Sequence, residues 1–148
     1  MRSKMGLIAL TIMAVFLVTD TALADKIGQI KTLKGEVYIL RGNSRIPAVL
    51  GATLQQADIV ETGPSGSVGI TFIDSSRFSA GPETRLELSR FRFNPTTHDG
   101  EFLTGMERGT LTVISGQIAK RSNEAMKIKT PTTILGFRGT RAAIQVTE

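Results

Sequence analysis

Few residues in this chain are of the types that do chemistry, and their spacing limits what they can do. The single histidine, His98, sits beside Asp99 in the turn-rich stretch "NPTTHDG". One imidazole cannot supply the histidine pair of a metal site, and an acid–base couple with Asp99 needs a fixed geometry that an exposed loop does not provide. His98 is therefore read as a loop residue. Asp58, Asp74 and Glu83 offer the two carboxylates of a glycosidase. However, Asp58 stands at a strand start and Asp74 in a turn, where a short carboxylate accepts backbone N–H groups instead. The glycines of "GPSGSVG" do not make a phosphate loop, because a strand follows where a helix N-terminus is required. The chain has no cysteine, which excludes disulfides, thiol nucleophiles, cysteine metal sites and the acylated cysteine of a bacterial lipoprotein. No catalytic centre, metal or cofactor is expected.

The cations carry the remaining chemistry. Lys127 and Lys129 alternate with Met126 and Ile128 and so project together, with Arg141 as a third candidate for holding an anionic glycan or polymer. Edge-strand protection is the competing reading of those lysines. The stretch "TPTTILGFRGTR" sets Arg138 between Gly136 and Gly139, with Thr130 and Pro131 before it and Thr140 after. A guanidinium presents five donors in a rigid fork, which suits tying turn carbonyls or a carboxylate such as Asp58 or Asp74. The motif is expected to clamp a chain reversal rather than to greet a partner.

Before any of this can fold, a leader has to be set aside. Arg2 and Lys4 precede an uncharged apolar run of 14 residues, Met5 to Val18, and then "TDTALAD". That run is shorter than the roughly 20 residues that span a bilayer, and Ala22-Leu23-Ala24 supplies the small residues that a signal peptidase accepts. Residues 1–24 are expected to be a cleaved signal peptide, leaving one domain over 25–148, with no membrane-spanning segment, in the periplasm or secreted. Taking Arg2, Lys4 and Asp20 from the 18 basic and 13 acidic residues leaves 16 and 12, a net charge of +4. Export argues against nucleic acid as the target of that charge. The expected partner is another envelope or outer-membrane protein.

The domain that positions these residues is all-β by the period-two test. Val37 and Ile39 share a face, as do Val68, Ile70 and Phe72, then Leu86 and Leu88, Leu111 and Val113, Met126 and Ile128, and finally Ala142, Ile144 and Val146. Turn residues separate these segments at short intervals. A helical turn or two is allowed only near "LGATLQQAD". "GPSGSVGI" and "GPETRLEL" match at Gly-Pro and at the two inward apolar positions, 18 residues apart. Such an echo points to a compact β-solenoid or roll, with a β-sandwich as the alternative. In "RLELSRFRF" the leucines and phenylalanines have opposite parity, so the strand should bulge near Ser89-Arg90 and leave Arg90 and Arg92 in water.

Taken together, "GEVYILR", "ADIVETGPSGSVGITFIDSSRFSAGPETRLEL", "GTLTV" and above all "IKTPTTILGFRGTRAAIQV" resemble the FecR domain. Thr130-Pro131, Gly136 and Arg138-Gly139-Thr140 fall at the offsets of that family's closing motif. The resemblance implies an all-β periplasmic module related to the regulators that relay iron-siderophore signals. It implies the module and not the full relay. Two turns depart from the family's pattern: Ala57 precedes Asp58 where glycine is frequent, and Ser75 replaces the glycine of an Asp-Gly-Ser turn.

Overall fold

The computed structural model describes residues 24–139 and 141–147; the expected signal peptide up to residue 23, Thr140 of the closing motif and Glu148 lie outside the described residues. Along the chain run β1 (Lys26–Lys34), β2 (Val37–Arg41), β3 (Ser44–Pro47), β4 (Thr53–Gln55), β5 (Ile59–Thr62), β6 (Ser67–Phe72), β7 (Arg77–Ala80), β8 (Arg85–Phe93) and β9 (Gly100–Ile114). A short helix, α1 (Gln117–Arg121), precedes β10 (Met126–Lys129), β11 (Ile134–Gly136) and β12 (Arg141–Val146). The all-β class is as expected.

The strands make one curled sheet in the order β3-β2-β5-β8-β9-β7-β6-β1-β4. Its hinge is β9. The first part of β9 pairs with β8 on one side and, in parallel, with β10 on the other. From Gly109, where φ is +103°, it passes into the other half of the sheet. There it pairs with β7 and β12.

Alternation drives the curl, because each half has one apolar face to hide. Phe72 and Phe78 from one half meet Phe91 and Phe102 from the other, with ring centroids 4.7 to 5.9 Å apart. The aligned pairs Val37/Ile39, Ile70/Phe72, Leu86/Leu88, Leu111/Val113 and Met126/Ile128 are all buried with them. The bulge lies where the parities conflict. The β8–β9 register slips between Glu87 and Arg90, so Leu88 and Phe91 both turn inward while Arg90 and Arg92 stay in solvent.

The 18-residue echo is a pair of neighbouring corners. Gly63–Gly66 carries the chain from β5 to β6, across the fold, and Gly81–Thr84 carries it back from β7 to β8. The Thr62 hydroxyl donates to the Gly81 carbonyl (2.6 Å) and accepts from the Thr84 N–H (2.9 Å). Two further crossings extend the stack. The Gly63 N–H donates to the Glu36 carbonyl (2.8 Å) at the β1–β2 corner. The Thr84 hydroxyl donates to the Thr110 carbonyl (3.1 Å) at the bend of β9. The roll is therefore closed on this side by a ladder of threonine and backbone bonds. The stretch "LGATLQQAD" forms β4 and its flanking turns rather than helix.

Candidate functional site

Asp58 is buried, and the chain surrounds it with donors. The Arg41 guanidinium forks onto it, Nε to Oδ1 at 2.9 Å and Nη2 to Oδ2 at 2.7 Å. The Gln55 N–H adds a third bond at 2.8 Å. Arg41 also donates to the Thr53 carbonyl at 3.1 Å, so one side chain joins β2, β4 and the start of β5. The hydrogen bond to Asp58 raises the Arg41 pKa above its ordinary value; burial opposes that and the carboxylate charge adds to it. Sequence reasoning missed Arg41. Its signal lay in pairing "VYILR" with "DIVET", because β2 and β5 align Leu40 with Ile59 and thereby bring Arg41 beside Asp58.

Asp74 does comparable work at the β6–β7 turn. Its carboxylate accepts from the Ser76 N–H (3.0 Å), the Ser76 hydroxyl (2.7 Å) and the Ile118 N–H (3.4 Å). Its carbonyl accepts from the Gln117 N–H at 2.8 Å. Asp74 thus nucleates α1, which sinks Ile118 and Ala119 into the core. Glu83 sits exposed in the Gly81–Thr84 corner. With Asp58 and Asp74 both fully engaged, no glycosidase pair is assembled from these three. His98 is exposed and stacked over Phe93 at 6.2 Å. Its neighbour Asp99 pairs with Arg121 at 3.3 Å.

The closing motif is a hairpin followed by a crossing. Thr130 and Thr133 close the β10–β11 turn, the Thr130 N–H donating to the Thr133 carbonyl at 2.8 Å, while Pro131 is exposed. Phe137 is buried, and the chain then passes to the other half of the roll and into β12. The two glycines serve different ends. A Cβ on Gly136 would lie 2.6 Å from the Asn123 carbonyl oxygen, whereas Gly139 has open space but needs φ +60°. Arg138 is exposed. The carboxylates considered for it, Asp58 and Asp74, are held by Arg41 and by Ser76 instead.

Lys127 and Lys129 do project together from β10, opposite buried Met126 and Ile128. Because β10 is flanked by β9 and β11, it is not an edge, and edge protection does not account for the lysines. Arg141 is not in their row. It lies opposite Ile114, nine residues beyond the position on β9 that Lys129 faces, and shares that rung with Arg77 of β7.

Two surfaces were not legible in the sequence. Along the stacked corners runs an open groove of about 910 Å³, lined by Tyr38, Arg45, Glu61, Pro82, Arg108 and Gln145 among others. Glu61 binds Arg85 closely and has Arg45 at 3.8 Å and Arg108 at 4.0 Å. Arg45 in turn covers the Tyr38 ring at 4.0 Å. The second surface spans β3 and the β3–β4 connection, where Ile46, Val49 and Leu50 are 39%, 61% and 64% exposed. Among the described residues no group of three or more metal-ligating side chains is assembled, and no helix is long and apolar enough to cross a membrane.

The family model described as FecR protein matches residues 58–148. The chain belongs to the FecR family. That family is a regulatory and signalling one whose domains are typically periplasmic or envelope-associated. No curated protein and no solved structure matches the chain. The FecR match opens at Asp58, so β1–β4 lie outside it, although β1 and β2 pair directly with matched strands β6 and β5. At Ala57 and Ser75, the two turns that depart from the family's glycines, φ is 71°. Both side chains occupy backbone that favours glycine.

Proposed function

We propose that this FecR-family chain is an exported, non-catalytic module of the cell envelope that acts in signalling by binding another envelope or outer-membrane protein. The observation that carries this reading is the family match over 58–148. Export follows from the leader: cleavage after Ala24 would leave Asp25 at the N-terminus and release the module to the periplasm or the exterior. Ile46, Val49 and Leu50, three large aliphatic side chains exposed within five residues of chain, supply the contact surface in this reading.

A second reading is favoured by the lysine pair. Lys127 and Lys129 share one face of an interior strand, an arrangement that would hold an anionic envelope glycan or polymer. Crosslinking in intact envelopes separates the two. Capture of a stoichiometric protein partner, lost in Val49→Ser/Leu50→Ser at an unchanged melting temperature and insensitive to salt, supports the protein reading. Capture of an acidic polymer, lost on adding salt and in Lys127→Ala/Lys129→Ala, overturns it in favour of the glycan.

A further inference from the structure

Charge is divided unequally between the two halves of the roll. β1, β4, β6, β7, β12 and the part of β9 beyond Gly109 hold Lys26, Lys31, Lys34, Arg77 and Arg141 and not one aspartate or glutamate. Asp25 and Glu36 stand beyond the two ends of β1, and Asp74 is buried and engaged. All seven ion pairs among the described residues are made elsewhere, by Arg41, Arg45, Arg85, Arg90, Arg108 and Arg121. The outward side chains of this half fall into register. Gln29 lies opposite Thr71, Thr71 opposite Arg77, Arg77 opposite Ile114, and Ile114 opposite Arg141, so one rung crosses β1, β6, β7, β9 and β12. Gln29 draws two ammonium groups onto it, its Oε1 accepting from Lys31 Nζ at 3.0 Å and from Lys26 Nζ at 3.5 Å. Cations therefore stand on β1, β7 and β12, at every second strand, about 10 Å apart at the backbone. Lys31 and Arg77 also line a depression of about 240 Å³ with Gly69, Thr71, Ser79 and Thr112.

We propose that this row holds a linear anionic glycan that turns a carboxylate toward the protein on alternate sugars. Charge complementarity calls for an anion, because cations with no carboxylate among them raise the local potential and concentrate counter-ions. The line of cations calls for a chain. In an extended, two-fold polyuronate the carboxylates on one side recur at every second sugar, a repeat matching two strand spacings. One chain laid across the strands thus sets successive carboxylates at Lys31, Arg77 and Arg141. The hydroxyls of Thr71, Ser79 and Thr112 lie along its path, able to donate to and accept from sugar hydroxyls. An anionic bilayer fits less well: it presents a plane, its surface cannot enter the depression, and the row carries no aromatic or large exposed aliphatic side chain to insert. An acidic protein fits less well for the same lack, since protein interfaces centre on large anchors. Between the cations the row offers only Thr71 and half-buried Ile114. Exposed Ile46, Val49, Leu50 and Ile134 belong to other elements, and Ile73 stands beyond the end of β6. The proposal rests on the glycan reading above for its class of ligand, and it places the site on the other half of the roll from Lys127 and Lys129.

The test titrates the exported protein into fluorescently labelled β-1,4-linked polymannuronate, an extended two-fold polyuronate, with neutral dextran and phosphatidylglycerol vesicles as comparisons. Polymannuronate should bind and dextran should not, and added salt should weaken the binding. Arg77→Gln/Arg141→Gln should raise the dissociation constant by about 2- to 30-fold, the loss of two exposed charge pairs. Lys127→Ala/Lys129→Ala should leave it unchanged. Circular dichroism melts of both variants confirm an intact fold. A parent that does not bind polymannuronate overturns the proposal. Binding that Arg77→Gln/Arg141→Gln leaves intact also overturns it; if Lys127→Ala/Lys129→Ala abolishes that binding instead, the glycan reading stands at β10. Vesicles that bind as tightly as polymannuronate, with the same loss in Arg77→Gln/Arg141→Gln, overturn it in favour of a lipid surface.

Discussion

Replacing Ala57 by glycine should make the protein more stable, against the usual effect of adding glycine to a folded chain. Ala57 is exposed in the turn before β5, so its methyl group contributes no packing, and its N–H is held by the Leu88 carbonyl at 2.8 Å. Its φ of 71° brings the Cβ against its own backbone, a strain of about 1–2 kcal/mol. Glycine removes that strain but enlarges the unfolded ensemble, which costs about 0.4–1 kcal/mol. The net expectation is a gain of about 1 kcal/mol. For a domain over 25–148 that is an upward shift in Tm of about 4 °C, and in urea a higher midpoint at an unchanged slope. Gly42 supplies the mirror experiment. Its φ is +57°, and a Cβ there would meet nothing within 4 Å, so Gly42→Ala should lose about what Ala57→Gly gains. If Ala57→Gly lowers the midpoint while Gly42→Ala leaves it unmoved, left-handed strain is not what these turns store and the reasoning fails.

Two other positions, Arg41 and Gly136, test which contacts hold the roll together. Arg41→Ala leaves the buried Asp58 carboxylate with the Gln55 N–H and should cost about 3 kcal/mol, the lower end for breaking a buried pair; Arg41→Lys should recover less than half of it in denaturant titrations, because an ammonium cannot fork onto both oxygens. In the closing motif, Gly136→Ala should cost about 1–3 kcal/mol by driving a methyl group into the Asn123 carbonyl, read as a lower urea midpoint.

What could be read from the sequence was what depends on neighbouring residues alone. Val68, Ile70 and Phe72 declare a strand because alternation is local, and "RLELSRFRF" declares its own bulge because two parities within nine residues cannot share a face. The Gly-Pro echo announced a repeated corner for the same reason. What escaped depends on pairing between distant segments. Asp58 reads as a turn carboxylate until β2 is laid against β5 and Arg41 comes into reach. α1, at five residues, is too short to carry a period, and it exists because Asp74, more than forty residues earlier, takes the first N–H groups of the helix. The Tyr38–Arg45–Glu61 surface likewise needs β2, β3 and β5 in register before its members meet. A pattern emerges from where these side chains went. Asp58 and Asp74 are committed to a crossing and a turn of the roll, Glu83 stands exposed in a corner, and His98 lies stacked over Phe93. Turned outward among the described residues are the aliphatic side chains Ile46, Val49, Leu50, Ile73 and Ile134 and, on β10, Lys127 and Lys129. Aliphatic and cationic side chains turned outward hold another molecule by burial and by charge, and they are the physical support for the binding reading proposed above.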